Sequence, residues 1–232
     1  KLKEQYATKQ PYGEWLDNNL INLCDLKIPN KKVPTHTKEE RARLQKAFGY
    51  TYEDFRTSIL PMALNGAESI GAMGIDTPLA VLSNRHQPLF NYFKQLFAQV
   101  TNPPIDSIRE KIVTSTTVYL GKDGNVLEEK PENCKNLKIN NPILTNTDLL
   151  KIKNMKVEGF KVETIPITYY KNTSIEKAID HIFVEVDRAH REGANIIILS
   201  DRGVDENHVA IPSLLAVGAV QHYLVQTKKR TS

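Results

Sequence analysis

The stretch from Lys161 to Gln226 constrains the fold more than any other part of the chain. Residues 161–167 alternate polar and apolar side chains, the period of a strand with one covered face. Thr173-Ser-Ile-Glu176 then opens a helix with the pattern of a capping box. Ile175, Ala178, Ile179, Ile182, Phe183, Val186 and Ala189 recur on one face of that helix until Gly193 ends it. Asn195-Ile-Ile-Ile-Leu-Ser200 is a short continuous apolar run, the composition of a strand buried on both faces. Pro212 opens a second helix, small-residued and apolar, to about Gln226. The order β-α-β-α is that of parallel α/β units, since a parallel neighbour is reached only through a crossover. The fold class expected is therefore α/β with parallel strands.

The first two thirds are less regular. Pro11, Pro29 and Pro34 punctuate an irregular arm with one short amphipathic piece at residues 14–21. Trp15, the only tryptophan, is expected to dock that arm. Thr37-Lys-Glu-Glu40 is a capping box, so a helix should start there and stop before Gly49. Thr51-Tyr-Glu-Asp54 starts another, which Pro61 kinks or restarts. Residues 77–83 have strand length, and the β-branched run 112–120 reads as a strand ending at the turn Gly121-Lys-Asp-Gly124. A polar excursion follows to about Asn141, then a short helix near residues 148–154.

Between Ser83 and Asp106 lies an aromatic helix ended by a stiff turn. Pro88 suits a first helical turn, where its missing N–H costs nothing. Leu89, Tyr92, Phe93, Leu96, Phe97 and Val100 follow at helical spacing, so Phe93 and Phe97 are expected to be buried. Thr101-Asn-Pro-Pro104 stops the helix, and each proline restrains the residue before it to extended geometry. Thr101 and Asn102 are thereby held on a rigid polar turn.

Composition removes several classes of function. A net charge of +4 is too small and too dispersed for a nucleic-acid footprint, and Lys228-Lys-Arg230, the one dense basic cluster, reads as a solvated tail. No apolar run approaches the roughly 20 residues of a bilayer span. Lys1-Leu-Lys-Glu-Gln5 lacks the apolar core of a signal peptide. Cys24 and Cys134 read as reduced thiols; two cysteines do not furnish an iron–sulfur cluster. Gly66, Gly71 and Gly74 lack the spacing of a dinucleotide fingerprint. The six histidines are scattered. The loop after residues 195–200 carries Asp201, Arg202, Asp205, Glu206 and His208, beyond the carboxyl end of a strand, where α/β proteins bind ligands. It reads either as an acid/base or metal site or as an ion pair with turn caps; no ligand spacing there is diagnostic of a metal, which favours the caps.

Three pieces of the chain together resemble the central domain of glutamate synthases: Asp76-Thr-Pro-Leu-Ala-Val-Leu-Ser83 with the run to Val100-Thr-Asn-Pro-Pro-Ile-Asp106, Ile197-Ile-Leu-Ser-Asp-Arg-Gly203, and Pro212-Ser-Leu-Leu-Ala-Val-Gly-Ala-Val220. The resemblance implies incomplete barrel-like βα units over residues 49–232, related to a flavin-binding barrel but without cofactor. Residues 1–48 become a linker and helical arm leaving a glutamine amidotransferase domain. No catalytic, cofactor-binding or metal residue is implied in this segment. FMN and an iron–sulfur cluster belong to the synthase domain of the parent, which makes glutamate from glutamine and 2-oxoglutarate. The implied role is to connect the two catalytic domains and to help wall the ammonia tunnel between them. Thr101, Asn102, Pro103, Pro104 and Asp106 are the implied tunnel or domain-interface residues, with helix termination as the alternative role for Thr101 and Asn102. The partners implied are the amidotransferase and synthase domains of the same chain, with no nucleic acid and no membrane, in the cytoplasm or a plastid stroma. The competing expectation is a free-standing barrel-like enzyme holding a flavin or phosphorylated ligand at residues 201–208.

Overall fold

The computed structural model describes residues 1–33, 35–71, 78–93, 97–100 and 103–231. In chain order the helices are α1 (Leu2–Ala7), α2 (Tyr12–Asn19), α3 (Lys38–Ala47), α4 (Leu60–Asn65), α5 (Ser107–Val113), α6 (Asn146–Lys153), α7 (Ile175–Arg191) and α8 (Ser213–Gln226). The strands are β1 (Ile21–Asn22), β2 (Val118–Gly121), β3 (Asn136–Ile139), β4 (Val162–Pro166), β5 (Thr168–Tyr170), β6 (Ile196–Ser200) and β7 (His208–Ala210). The chain divides into two compact units, one of Lys1–Val33 with Lys111–Ser232, the other of Pro34–Glu110. Among the described residues no helix is long and apolar enough to cross a membrane.

The first unit is built on the parallel pair β4–β6, in register from Val162 against Ile196 to Pro166 against Ser200. One face of the pair carries Ile165, with Ile167 just beyond it, and packs on the buried stripe Ala178, Ile182, Val186 and Ala189 of α7 and on Ala216 and Val220 of α8. The other face carries Ile196 and Ile198 and meets Leu137 and Ile139 of β3, Ile152 of α6, and Phe160. Two covered faces explain why β6 is apolar from Ile196 to Leu199. The rest of β6 is nevertheless only half-buried, because among the described residues β6 has a strand neighbour on one side alone. The helix before it is capped by Ser174, whose hydroxyl accepts from the Lys177 amide, not by Thr173 as the capping-box spacing suggested.

The apparent polar excursion conceals β3, the middle strand of a small sheet ordered β1-β3-β2. Leu137 and Ile139 point inward between polar neighbours, a pattern too short to stand out against its surroundings. β1 pairs with β3 in parallel, so the N-terminal arm contributes a strand to this unit. Lys9 reaches Glu129 at 2.9 Å, and the rings of Tyr12 and Trp15 meet edge to face at 5.4 Å. The run 112–120 is divided: its first residues finish α5, and only the end from Val118 is strand. Gly121 follows at φ +144°, where a Cβ would lie 2.9 Å from the Asn136 amide oxygen.

The unit Pro34–Glu110 is helical and has no buried residue among those described. α3 is capped as expected, with the Thr37 hydroxyl accepting from Glu40 and the Glu40 carboxylate accepting from Thr37. Its sequence, KEERARLQKA, supplies no apolar stripe. Gly49 follows at φ +78°, and a Cβ there would lie 2.7 Å from the Pro88 ring. The strand expected at residues 77–83 is a 3-10 turn at Ala80–Leu82, with Thr77 outside the described residues. The aromatic helix is a 3-10 stretch, Leu89–Phe93, with residues 94–96 outside the description. Phe93 and Phe97 are 72% and 80% exposed, which overturns their expected burial. Helical spacing identifies an apolar face; whether anything covers that face is decided elsewhere in the structure.

The two units should respond differently to truncation. Ile165→Ala, in the first unit, should cost about 2–5 kcal/mol, the range for a buried aliphatic. Phe97→Ala should cost less than about 1 kcal/mol in this chain, as for exposed positions. Urea titration of both variants measures this, and a larger loss at Phe97 would refute its exposure.

Candidate functional site

The loop following β6 sits where a parallel α/β unit presents ligand-binding groups. The Asp205 carboxylate and the His208 imidazole are engaged within the loop itself. The Asp205 carboxylate accepts from the amides of Asn207 at 2.7 Å and His208 at 2.8 Å. His208 Nδ1 lies 3.0 Å from both carboxylate oxygens. The Asn207 amide first, then the His208 ring and amide, hold the Asp205 carboxyl below its ordinary range. The amide of Asp205 donates to the His208 carbonyl, and Lys171 Nζ donates to the Glu206 carbonyl at 3.0 Å. β7 pairs with β5 and pins the end of the loop, where the His208 ring meets Tyr170 edge to face. Arg202 donates to the Asn146 side chain at 2.7 Å, tying the loop to the first turn of α6. Among the described residues no group of three or more His, Cys, Asp or Glu is placed to hold a metal. Within this loop Asp205 acts as a cap.

The five residues expected at a tunnel or interface divide. Thr101 and Asn102 lie outside the described residues. Pro103, Pro104 and Asp106 are exposed. The Pro103 carbonyl accepts from the Ile105 amide at 2.8 Å, a tight turn. Asp106 caps α5: its carboxylate accepts from the amides of Ile108 and Arg109 and pairs with the Arg109 side chain at 3.1 Å.

A constellation that spacing did not reveal joins α7, α8 and the residues after α8. Tyr223 donates its hydroxyl to Asp187 at 2.8 Å, and Lys229 Nζ donates to the other carboxylate oxygen at 2.6 Å. The Tyr223 ring stacks on Phe183 with centroids 4.3 Å apart. Lys229 foremost, helped by the Tyr223 hydroxyl against the opposing effect of partial burial, holds the Asp187 carboxyl below its ordinary range. Arg230 donates to Gln221 at 2.9 Å and faces Asp123 at 3.6 Å, and the Gly124 amide donates to the Thr231 carbonyl. The basic cluster 228–230 is therefore a docked clamp, not the solvated tail its composition suggested. Beside it opens a cavity of about 330 Å³ between β2, α6, β6 and α8.

A family model, the glutamate synthase central domain, matches residues 43–232. The chain belongs to this family. It is 39% identical over 234 residues to the glutamate synthase (NADPH) large chain of Bacillus subtilis, an alignment covering 100% of this chain and 15% of that protein. It is 40% identical to the glutamate synthase (NADH) of Schizosaccharomyces pombe, over 100% of this chain and 12% of that protein. It is also 40% identical to ferredoxin-dependent glutamate synthase 2 of Synechocystis, over 99% of this chain and 15% of that protein. The chain thus spans 12–15% of the length of these relatives. The central-domain match takes in most of the helical unit, from residue 43, and the β4-α7-β6-α8 unit with its clamp.

The clamp makes a pH-dependent contribution with a fixed sign. A carboxyl held below its unfolded value of about 4 contributes fully above that pH and loses its contribution as pH falls through the folded value. Asp187→Asn should lower stability at pH 7 by about 1–2 kcal/mol, a charge-assisted hydrogen bond's worth. It should also flatten the loss of melting temperature that the unaltered chain shows between roughly pH 5 and 3. Equal melting curves at pH 7 would show that the clamp contributes nothing.

Proposed function

We propose that this chain is the non-catalytic central segment of a glutamate synthase, whose parent enzyme makes glutamate from glutamine and 2-oxoglutarate. The observation that carries the reading is the central-domain match over residues 43–232, within relatives of which the chain covers 12–15%. In this reading residues 1–48 lead from the amidotransferase domain and residues 49–232 form an α/β unit of incomplete barrel-like type. The succession β4-α7-β6-α8 supports that description, since it repeats one strand–helix step in parallel. The segment holds the amidotransferase and FMN-binding synthase domains at fixed separation. Rigidity matters, because a 1 Å misplacement of reacting groups costs on the order of 10²-fold in rate. FMN and the iron–sulfur cluster reside in the synthase domain, and the parent works in the cytoplasm or a plastid stroma. The isolated chain should be colourless and inert toward glutamine and 2-oxoglutarate; a bound-flavin spectrum or turnover would reject the reading.

The Thr101-Asn-Pro-Pro104 turn is the part assigned to the ammonia path. A hydroxyl and an amide on a proline-stiffened turn can hydrogen-bond neutral ammonia or a gating loop. In the parent enzyme, Thr101→Val and Asn102→Asp should raise the ratio of glutamine consumed to glutamate produced, and added ammonia should partly restore synthesis. An unchanged ratio with a lowered melting temperature would leave these residues as helix-terminating structure and reject the path.

A further inference from the structure

The sheet β1-β3-β2 ties together two stretches of chain that are far apart in sequence. Ile21 of β1 and Leu120 of β2 lie on either side of Leu137, which is fully buried. β1 runs parallel to β3 and ends at Asn22, opposite Lys138. β2 runs antiparallel to β3 and begins at Val118, opposite Ile139. The chain therefore leaves this sheet and re-enters it at the same end, two strand spacings or about 10 Å apart. Both points are fastened to the α/β unit. On the way out Leu23 and Leu26 pack into the core around Leu137 and Ile152, and Lys31 donates to the Asn154 side chain. On the way back the Thr116 hydroxyl donates to the Asn140 carbonyl at 3.1 Å.

Between those points lies the helical unit Pro34–Glu110. The α/β unit holds both buried clusters, whereas the described residues of 34–110 include no buried one. Nor does the α/β unit draw on 34–110 to complete its cores. Every described member of the two clusters, and every partly buried side chain packed on them, lies within residues 21–26 or 120–224. The entropic cost of joining the ends of an excursion grows only slowly with its length, so β3 can close over residues 34–110 or over a short linker alike. Domains whose two ends lie close together tolerate insertion for the same reason. We infer that residues 34–110 are a module inserted into one loop of the α/β unit. The module opens and recloses by itself, while residues 1–33 with 111–232 fold and stay folded without it. Opening stops at the base of the module, because β3 and not the module holds that base together. Residues 1–33, whatever they lead from, are the first segment of the α/β unit.

Trp15 provides the reporter for the α/β unit: it is the only tryptophan, it lies on the arm, and its ring meets Tyr12. Far-UV circular dichroism reports all the helices. In urea the chain should lose part of its helical signal before Trp15 fluorescence changes, since the transitions of independent units do not coincide. Replacing residues 34–110 by a Gly/Ser linker of about 15 residues, with a root-mean-square span of about 20 Å, should remove the early step. The Trp15 midpoint should stay within about 0.3 M urea of its value in the intact chain. Leu137→Ala, which loosens the strand that holds β1 and β2 together, should lower the Trp15 midpoint by about 1 M and leave the early step in place. Coincident transitions in the intact chain, or a shift of both steps together in Leu137→Ala, would overturn the inserted module. A chain that fails to fold with the 15-residue linker, and fails again with one of about 30 residues, would overturn it as well.

Discussion

The parallel pairing of β4 with β6 is the constraint on which the first unit depends. A parallel pair cannot be closed by a tight turn, so α7 must cross from one strand to the next. The crossover lays the apolar stripe of α7 on one face of the pair, where α8 joins it. The opposite face is then left to β3, α6 and Phe160. Both faces become buried although, among the described residues, the middle layer has two strands and each keeps one edge without a strand neighbour.

The features at the two ends of this layer follow from the same geometry. At the carboxyl end of β6 the chain must turn back to start α8, and it does so through a loop that satisfies its own polar groups with Asp205. At the other end α8 delivers Lys229 and Arg230 beside the start of β6, and Asp187 on α7 fastens Lys229. Asp205 and Lys229, two of the charged side chains that the sequence brings to notice, each hold one of these reversals.

The helical unit obeys a different logic. Two helix starts in it are capped, α3 at Thr37 by a reciprocal box and the turn entered at Thr51 by the hydroxyl that accepts from the Asp54 amide. Caps fix where a helix begins without giving it anything to pack against. The unit exposes Tyr52, Leu64, Phe93 and Phe97 among others. Local sequence signals and tertiary burial are separate quantities, and here the first is satisfied without the second.

The sequence alone determined the order β4-α7-β6-α8, the start of α3, α6 near residues 148–154, and the family resemblance. These rest on local periodicity, capping chemistry and specific residue runs, all of which are written in neighbouring residues. Only the tertiary structure decided the rest. β3 is a four-residue strand whose two inward side chains, Leu137 and Ile139, are no more apolar than many loop residues until they are placed in a sheet. The cap of α7 fell to Ser174 one residue beyond the expected Thr173, because the boundary depends on how the chain enters from β5. The aromatic run at 89–100 has helical spacing, yet Phe93 and Phe97 stay exposed, since burial requires a partner surface that periodicity cannot name. The Asp187–Tyr223–Lys229 clamp joins residues 36 and 42 positions apart, and no local pattern encodes a contact at that distance.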